Sequence, residues 1–110
     1  MEQFQGALFL DVETATSDRN SICQLSYLIV DNDNKIIKEY NSLVKPFKEF
    51  QEKEFKYTDI HGITWHDVKK ERMFDAVWRE VEADFKGQYL VLAHNANFDM
   101  GCLRASFSAK

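Results

Sequence analysis

Two acidic residues, Asp11 and Glu13, directly follow an apolar run at residues 7–10. An unbroken apolar run bounded by polar residues is typical of a fully buried β-strand. Because side chains alternate between the two faces of a strand, both acids are expected on one face. Neighbouring carboxylates that are partly buried repel each other and lose hydration, and a cation between them would relieve both penalties. The alternative interpretation is that the strand ends at Asp11 and both acids are solvated.

A third acid, Asp99, follows a second apolar run at residues 89–93. This run predicts another buried strand, and a helix is expected to begin near the polar residues 94–97. Asp99 then falls in the first helical turn, where the helix dipole favours a negative charge and helps to keep the carboxyl ionised. If the strands at 7–12 and 89–93 are parallel neighbours, the three acids converge outside the strand ends.

Three carboxylates with water completing the shell suit Mg²⁺ or Mn²⁺, which prefer oxygen ligands. Zinc would prefer His or Cys, and although His61 and His66 flank a turn, no Cys–His spacing supports a zinc site. Cys23 and Cys102 lie far apart in apolar contexts, so we expect buried small side chains in a reduced compartment.

The strands that follow the first acids are predicted to form a hairpin. Residues 22–31 alternate and are rich in strand formers, and residues 35–45 resume an apolar pattern after a turn at 32–34. A short turn between two strands makes them antiparallel, and Pro46 ends the second of them.

The middle of the chain predicts helices. Residues 47–60 are highly charged and are expected to form a loop with a short helix. Thr64 and Asp67 have the spacing of a helix capping box. From Met73 the apolar residues recur at helical spacing, and Gly87 stands where a helix C-terminal glycine is expected.

Composition limits the class of protein. The 110 residues suit one domain, and 45% hydrophobic residues are enough for a core. The net charge of −4 and the lack of a basic stripe argue against strong salt-driven binding to nucleic acid, so a phosphate substrate would need a metal ion as its positive partner. No signal peptide or membrane-spanning run is visible, which predicts a cytoplasmic protein without a membrane partner.

Residues 11–14 (DVET) resemble the first motif, D-x-E-T, of the DEDD (DnaQ-like) 3′–5′ exonucleases, and residues 94–99 (HNANFD) resemble their second, H-N-x-x-F-D. Residues 43–46 (LVKP) and 60–64 (IHGIT) are similar to segments of the bacterial DNA polymerase III epsilon-like branch. The resemblance spans nearly the whole chain. It implies an α/β, ribonuclease H-like mixed sheet with three antiparallel strands and a parallel strand after a helix, which agrees with the patterns above.

The resemblance also implies an activity: removal of nucleotides from a 3′ end of single-stranded DNA or RNA by two-metal hydrolysis with Mg²⁺ or Mn²⁺. By that resemblance, Asp11 would touch both metals, Glu13 one, and Asp99 the second, directly or through water. Two ions about 4 Å apart stabilise the attacking hydroxide and the leaving oxygen together. Thr14 and His61 fall where the family contacts the terminal nucleotide.

The family's third motif, H-x-x-x-x-D or Y-x-x-x-D, has no match, because residues 100–110 contain no acid and no histidine. We therefore expect residues 1–110 to be the N-terminal portion of a single exonuclease domain, truncated at its C-terminus and weak or inactive alone. The middle segments favour the His branch.

Two further expectations concern partners. The strand at 89–93 is expected at an exposed edge of the sheet, which favours a homodimer or a domain-swapped assembly, and the family suggests a DNA polymerase as another partner. The competing hypothesis is a non-catalytic binding or assembly module that retains the fold.

Overall fold

The computed structural model describes residues 3–47, 50, 55 and 57–108. Among these residues, three strands are followed by three helices, a fourth strand and a last helix, and α3 continues into a short 3₁₀ helix, Glu82–Phe85. In chain order the elements are β1 (Gly6–Thr14), β2 (Ile22–Asp31), β3 (Ile36–Leu43), α1 (Thr58–His61), α2 (Trp65–Val68), α3 (Phe74–Val81), β4 (Leu90–Ala93) and α4 (Ala96–Ser108). Within the predicted loop at 47–60, residues 48, 49, 51–54 and 56 lie outside the described part of the chain.

The described strands form one mixed sheet in the order β3-β2-β1-β4. β1 pairs antiparallel with β2, and β2 pairs antiparallel with β3. β4 returns through the helices and lies parallel to β1, with Ala93 opposite Leu10. The predicted α/β, ribonuclease H-like arrangement is therefore confirmed, and β1 lies between β2 and β4.

The hairpin between β2 and β3 forms because Asp31 organises the turn. Its carboxylate accepts hydrogen bonds from the backbone N–H groups of Asp33 at 2.9 Å and Lys35 at 3.0 Å. Asn34 adopts a left-handed conformation with φ 64°, which Asn tolerates better than most residues. The predicted turn is confirmed.

The main core lies on one face of the sheet, beneath α3 and α4. Side chains that alternate along β1 and β2 meet apolar residues spaced at helical intervals on α3, and α4 adds two more. Trp78 packs against Phe74, Phe85 and Phe107, so α3, the 3₁₀ helix and α4 share one aromatic cluster. The buried members are Leu8, Leu10, Val12, Ile22, Leu25, Tyr27, Ile29, Val44, Phe74, Val77, Val81, Cys102 and Leu103.

The other face of the sheet differs from the prediction. Fully buried strands were expected at 7–12 and 89–93, yet Phe9 is 46% exposed, Leu90 44% and Leu92 41%. The cause is that α3 and α4 pack on one face and none of the described residues covers the other. An apolar run shows that a strand is suited to burial on both faces, but it does not supply the element that would bury the second one.

A second, smaller cluster packs α2 and the segment between α1 and α2 against the ends of β1 and β2. It joins Ala15, Cys23, Ile63 and Val68. The predicted capping box is confirmed, because the Thr64 hydroxyl accepts from the Asp67 N–H while the Asp67 carboxylate accepts from the Thr64 N–H. Within the described ranges, no helix is long and apolar enough to cross a membrane.

Candidate active site

The carboxyl end of β1 carries Asp11 and Glu13 on one face. β1 continues through both acids to Thr14, so the alternative that the strand ends at Asp11 is wrong. Asp11 is exposed and Glu13 is half-buried. Asp11 also lines a groove on the uncovered face of the sheet, together with Phe9, Leu92 and His94. A ligand in that groove would meet the Asp11 carboxylate directly.

Asp99 reaches β1 from the first turn of α4, as predicted. The backbone N–H of Val12 donates to its Oδ1 at 3.3 Å, and the Asp99 residue is only 3% exposed. Cys102 and Leu103, on the same helix, pack into the core beneath β1 and hold α4 in place. The fold thus brings the late acid to Val12, the residue between the two early acids.

The three carboxylates act on one another electrostatically. Burial raises the pKa of Asp99, and the charge of Asp11 raises it further, while hydrogen bonding to the backbone of Val12 opposes both effects. Burial likewise raises the pKa of Glu13, followed by the charge of Asp11; His61 lowers this pKa, and Asp99 raises it more weakly. The backbone groups of Val12 and Asn95 lower the pKa of Asp99, as expected at a helix start, but burial of the carboxyl raises it more.

The three carboxylates have the chemistry that a hard divalent cation prefers, but they do not lie close enough together to bind one. All three are carboxylates, the ligands that Mg²⁺ and Mn²⁺ prefer, and the charge of Asp11 disfavours the ionised forms of Glu13 and Asp99. Yet within the part of the chain that the structure describes, no three His, Cys, Asp or Glu side chains stand close enough together to hold a metal ion. Side chains that repel one another stay apart until a cation offsets their charge, so Asp11 and Glu13 would have to move toward Asp99.

His61 also lies at the end of β1, beside Thr14. Its Nε2 is 2.9 Å from the Thr14 carbonyl oxygen, and its Nδ1 accepts a hydrogen bond from the Ile63 N–H at 3.0 Å. Cys23 Sγ lies 3.9 Å from Nε2, and burial raises the pKa of the Cys23 thiol to about 12. Thr14 is only 2% exposed. Both predicted nucleotide-contacting residues therefore adjoin Glu13, but largely with their polar groups turned inward.

Arg19 is a neighbour of the site to which the sequence motifs assign no role. It lies in the loop at residues 15–21, and its Nη1 donates to the backbone carbonyl of Asn97 at 3.4 Å. Its guanidinium carbon is 5.9 Å from the centre of the Phe98 ring. Arg19 is the single cationic residue of that loop. This is the one signal in the sequence that could have indicated a position beside the site.

The comparison with protein families agrees with this geometry. A family model described as an exonuclease, RNase_T, matches residues 8–109. The chain belongs to this exonuclease family. The resemblance to DEDD (DnaQ-like) exonucleases and to their DNA polymerase III branch is thereby confirmed, since the matched curated relatives are polymerases of that kind.

Two such relatives of this exonuclease-family chain are PolC-type DNA polymerases III. The one from Thermotoga petrophila is 32% identical over 105 residues, which is 92% of this chain and 7% of the relative. The one from Thermotoga maritima is 36% identical over 70 residues, or 64% of this chain and 5% of the relative. The chain therefore spans a small part of the length of these relatives.

Solved exonuclease structures share the fold. A product-bound exonuclease I superposes with a TM-score of 0.76 at 17% identity, covering 96% of this chain and 26% of that one. A 3′-exonuclease that recognises the 3′ end of a histone mRNA stem-loop gives a TM-score of 0.65 at 18% identity, covering 84% of this chain and 47% of that one. At such identities the likeness shows the fold alone.

Proposed function

We propose that this chain carries the metal-binding carboxylates of a 3′–5′ exonuclease that hydrolyses phosphodiester bonds at a nucleic acid 3′ end. The observation that supports this most strongly is the hydrogen bond from Val12 to Asp99, because it fixes the acid of the second motif beside the two acids of the first. Membership of the exonuclease family supplies the reaction class.

In this proposal the three acids have different tasks. Asp11 raises the pKa of both other carboxyls, so it lies electrostatically between them and suits the position that touches two ions. Glu13 would touch one ion. Asp99 would support the second ion. Its buried carboxylate is held in place by the hydrogen bond from the Val12 N–H. Mg²⁺ or Mn²⁺ would supply the positive charge that a substrate phosphate needs and that a chain of net charge −4 lacks.

The proposed substrate is the 3′ end of single-stranded DNA or RNA. One solved structure of this fold is a 3′-exonuclease that recognises the 3′ end of a histone mRNA stem-loop, so the fold can accommodate an RNA end. Thr14 and His61 remain the proposed contacts to the terminal nucleotide. Since both ring nitrogens of His61 bind backbone groups, such a contact would fall to the edge or face of its ring.

We propose that the isolated chain is weak or inactive, because residues 100–110 offer no further acid and no histidine to activate water. The second candidate function is a non-catalytic binding or assembly module, which the lack of a further acid or histidine in residues 100–110 favours. A DNA polymerase and a second copy of this chain, paired along β4, are the proposed partners. Two statements stay predictions: residues 1–110 are the N-terminal portion of one exonuclease domain, and the protein is cytoplasmic.

The deciding experiment compares Mn²⁺ binding and digestion of a single-stranded oligonucleotide for the wild-type chain, Asp11→Ala and Asp33→Ala. Asp33 is an exposed turn residue, so its variant is the matched control. We expect Mn²⁺ binding in the wild type and in Asp33→Ala, its loss in Asp11→Ala, and slow digestion that follows the same order. Binding without digestion would favour the assembly module. Digestion at ordinary enzyme rates with Mg²⁺ would overturn the proposed weak activity, and binding that survives Asp11→Ala would overturn the site.

A further inference from the structure

The edge of β1 beyond β4 is closed by two side chains instead of a strand. β4 ends at Ala93, opposite Leu10, so the last residues of β1 have no β4 neighbour. There the Val12 N–H donates to Asp99, and the Thr14 carbonyl is bound by His61. Val12 and Thr14 are two residues apart, so these backbone groups point to the same side of the strand, and Glu13 lies between them.

We propose that His61 is a positioning residue, whose neutral ring, protonated at Nε2, holds the Thr14 carbonyl and thereby fixes the strand end that carries Glu13. This inference rests on the proposed metal-binding role of Glu13, and it gives His61 a task that the resemblance does not. Both ring nitrogens of His61 face backbone groups, so the positioning role uses its hydrogen bonds and leaves only the edge or face of the ring for a nucleotide.

The protonation state of the ring follows from the two backbone groups that its nitrogens face. A backbone N–H can only donate, so Nδ1, which faces the Ile63 N–H at 3.0 Å, must present a lone pair. A carbonyl oxygen can only accept, so Nε2, which faces the Thr14 carbonyl at 2.9 Å, must carry the hydrogen. The neutral Nε2–H tautomer is the one state of the ring that satisfies both bonds.

The end of β1 needs such a support because its pairing with β2 is irregular there. The register shifts between Glu13 and Thr14, so that Thr14 pairs with Ile22 and Cys23 is the extra residue. A bulge of this kind disrupts the ladder and strengthens the local twist, which changes where nearby side chains point. Without an anchor beyond the bulge, the direction of the Glu13 side chain would be set by a weakened ladder alone.

The segment that carries His61 is itself braced. α1 is capped by Gly62, whose left-handed φ of 79° ends the helix, and the Thr58 hydroxyl donates to the Ile63 carbonyl at 2.6 Å. The Tyr57 N–H adds a second bond to the strand end, to the Ala15 carbonyl at 3.3 Å. Residues 57–63 therefore form a compact turn that is bound to Thr14 and to Ala15, and the bond from the His61 ring is the one made next to Glu13.

The test uses the 110-residue chain with His61→Ala, His61→Gln and the control His66→Ala, which removes an exposed histidine from α2. A glutamine amide nitrogen can take the place of Nε2 and donate to the Thr14 carbonyl. Mn²⁺ is titrated without nucleic acid, at a temperature well below every unfolding midpoint. Because residues that orient ligands typically contribute tenfold or more to metal affinity, we expect His61→Ala to weaken Mn²⁺ binding about tenfold. Rescue by His61→Gln and no change in His66→Ala are expected.

Equal Mn²⁺ affinity in His61→Ala and the wild type would overturn the inference, and so would a rise in the KM for an oligonucleotide with unchanged Mn²⁺ affinity, which indicates direct substrate contact. If the wild type binds no Mn²⁺, the proposed function fails. The hydrogen bond from His61 to the Thr14 carbonyl is then judged separately, by a second measurement. That measurement is the nitrogen NMR spectrum of His61: the Nε2–H tautomer supports the inference, and the Nδ1–H tautomer overturns it.

Discussion

The backbone N–H of Val12 and the carboxylate of Asp99 lie 3.3 Å apart although 87 positions separate them in the chain. The bond closes the edge of β1 where β4 ends, and it places a buried negative charge beside two others. This contact therefore has two opposite effects. It gives the Val12 N–H a hydrogen-bond partner, and it holds the Asp99 carboxylate where Asp11 repels it, a repulsion that a divalent cation would relieve.

This double role predicts that stability and metal binding separate at Asp99. Asp99→Asn keeps an oxygen for the Val12 N–H and removes the repelling charge, so we expect unchanged or higher stability but weaker Mn²⁺ binding. Asp99→Ala also leaves the buried N–H without a partner, which costs about 1–3 kcal/mol. Urea unfolding and Mn²⁺ titration of both variants measure the two effects. Equal Mn²⁺ affinity in Asp99→Asn and the wild type would contradict the assignment of Asp99 as a ligand.

The local patterns predicted the elements that carry the acids, but not their relations. Alternation along β1 placed Asp11 and Glu13 on one face, and the polar residues after β4 placed Asp99 in a first helical turn. The bond from Val12 to Asp99 and the two ring contacts of His61 join residues distant in sequence, and periodicity reports only the face that each element presents. The exposed Phe9 marks the same limit, since a run of apolar residues does not show which neighbours exist.

A second group of contacts predicts how strongly the sheet is tied to the helices. The Tyr27 hydroxyl donates to Asp84 Oδ2 at 2.6 Å, and Lys38 pairs with the same oxygen at 2.5 Å. Tyr27→Phe removes a donor to a carboxylate that is mostly shielded from water, so we expect a loss of about 1.5–3 kcal/mol.

The matched control for that variant is Tyr40→Phe, whose hydroxyl donates to the exposed Glu80 at 2.7 Å. Water can replace this donor, so the loss is expected to stay below about 1 kcal/mol. Chemical denaturation of both variants gives the comparison. A larger loss in Tyr40→Phe than in Tyr27→Phe would show that shielding from water does not set the strength of these bonds.

The exposed edge of β4 predicts self-association. Leu92 is 41% exposed beside an edge that has β1 as its neighbour among the described strands, and such edges pair with other chains. We expect a homodimer in sedimentation experiments, and Leu92→Lys to shift it to the monomer. Ile37→Lys, at an exposed position of the opposite edge strand β3, is the control and should leave the dimer intact. A wild-type monomer at high concentration would contradict the predicted assembly.

The raised pKa values of Glu13 and Asp99 predict how stability depends on pH. Burial is the main cause at both residues, with the charge of Asp11 next, so the folded chain binds their protons more tightly than the unfolded chain does. An acid of this kind stabilises the fold most when it is protonated, and its contribution falls as the pH rises through the raised pKa. Asp84 acts in the opposite direction: although burial opposes it, hydrogen bonds from Lys38 and Tyr27 keep its pKa low, so its contribution is lost as the pH falls.

The difference between wild type and Asp99→Asn separates these opposing effects, because Asp84 is common to both. Between about pH 4 and pH 7, we expect the wild type to lose stability relative to Asp99→Asn as the pH rises. Added Mg²⁺ should reverse the loss in the wild type alone, since a cation bound between the ionised carboxylates stabilises the fold that holds them. Urea unfolding across that range, with and without Mg²⁺, measures both. Parallel curves for the two proteins would mean that the Asp99 carboxyl titrates alike in the folded and unfolded chains, and that its burial beside Asp11 carries no electrostatic penalty for a metal to relieve.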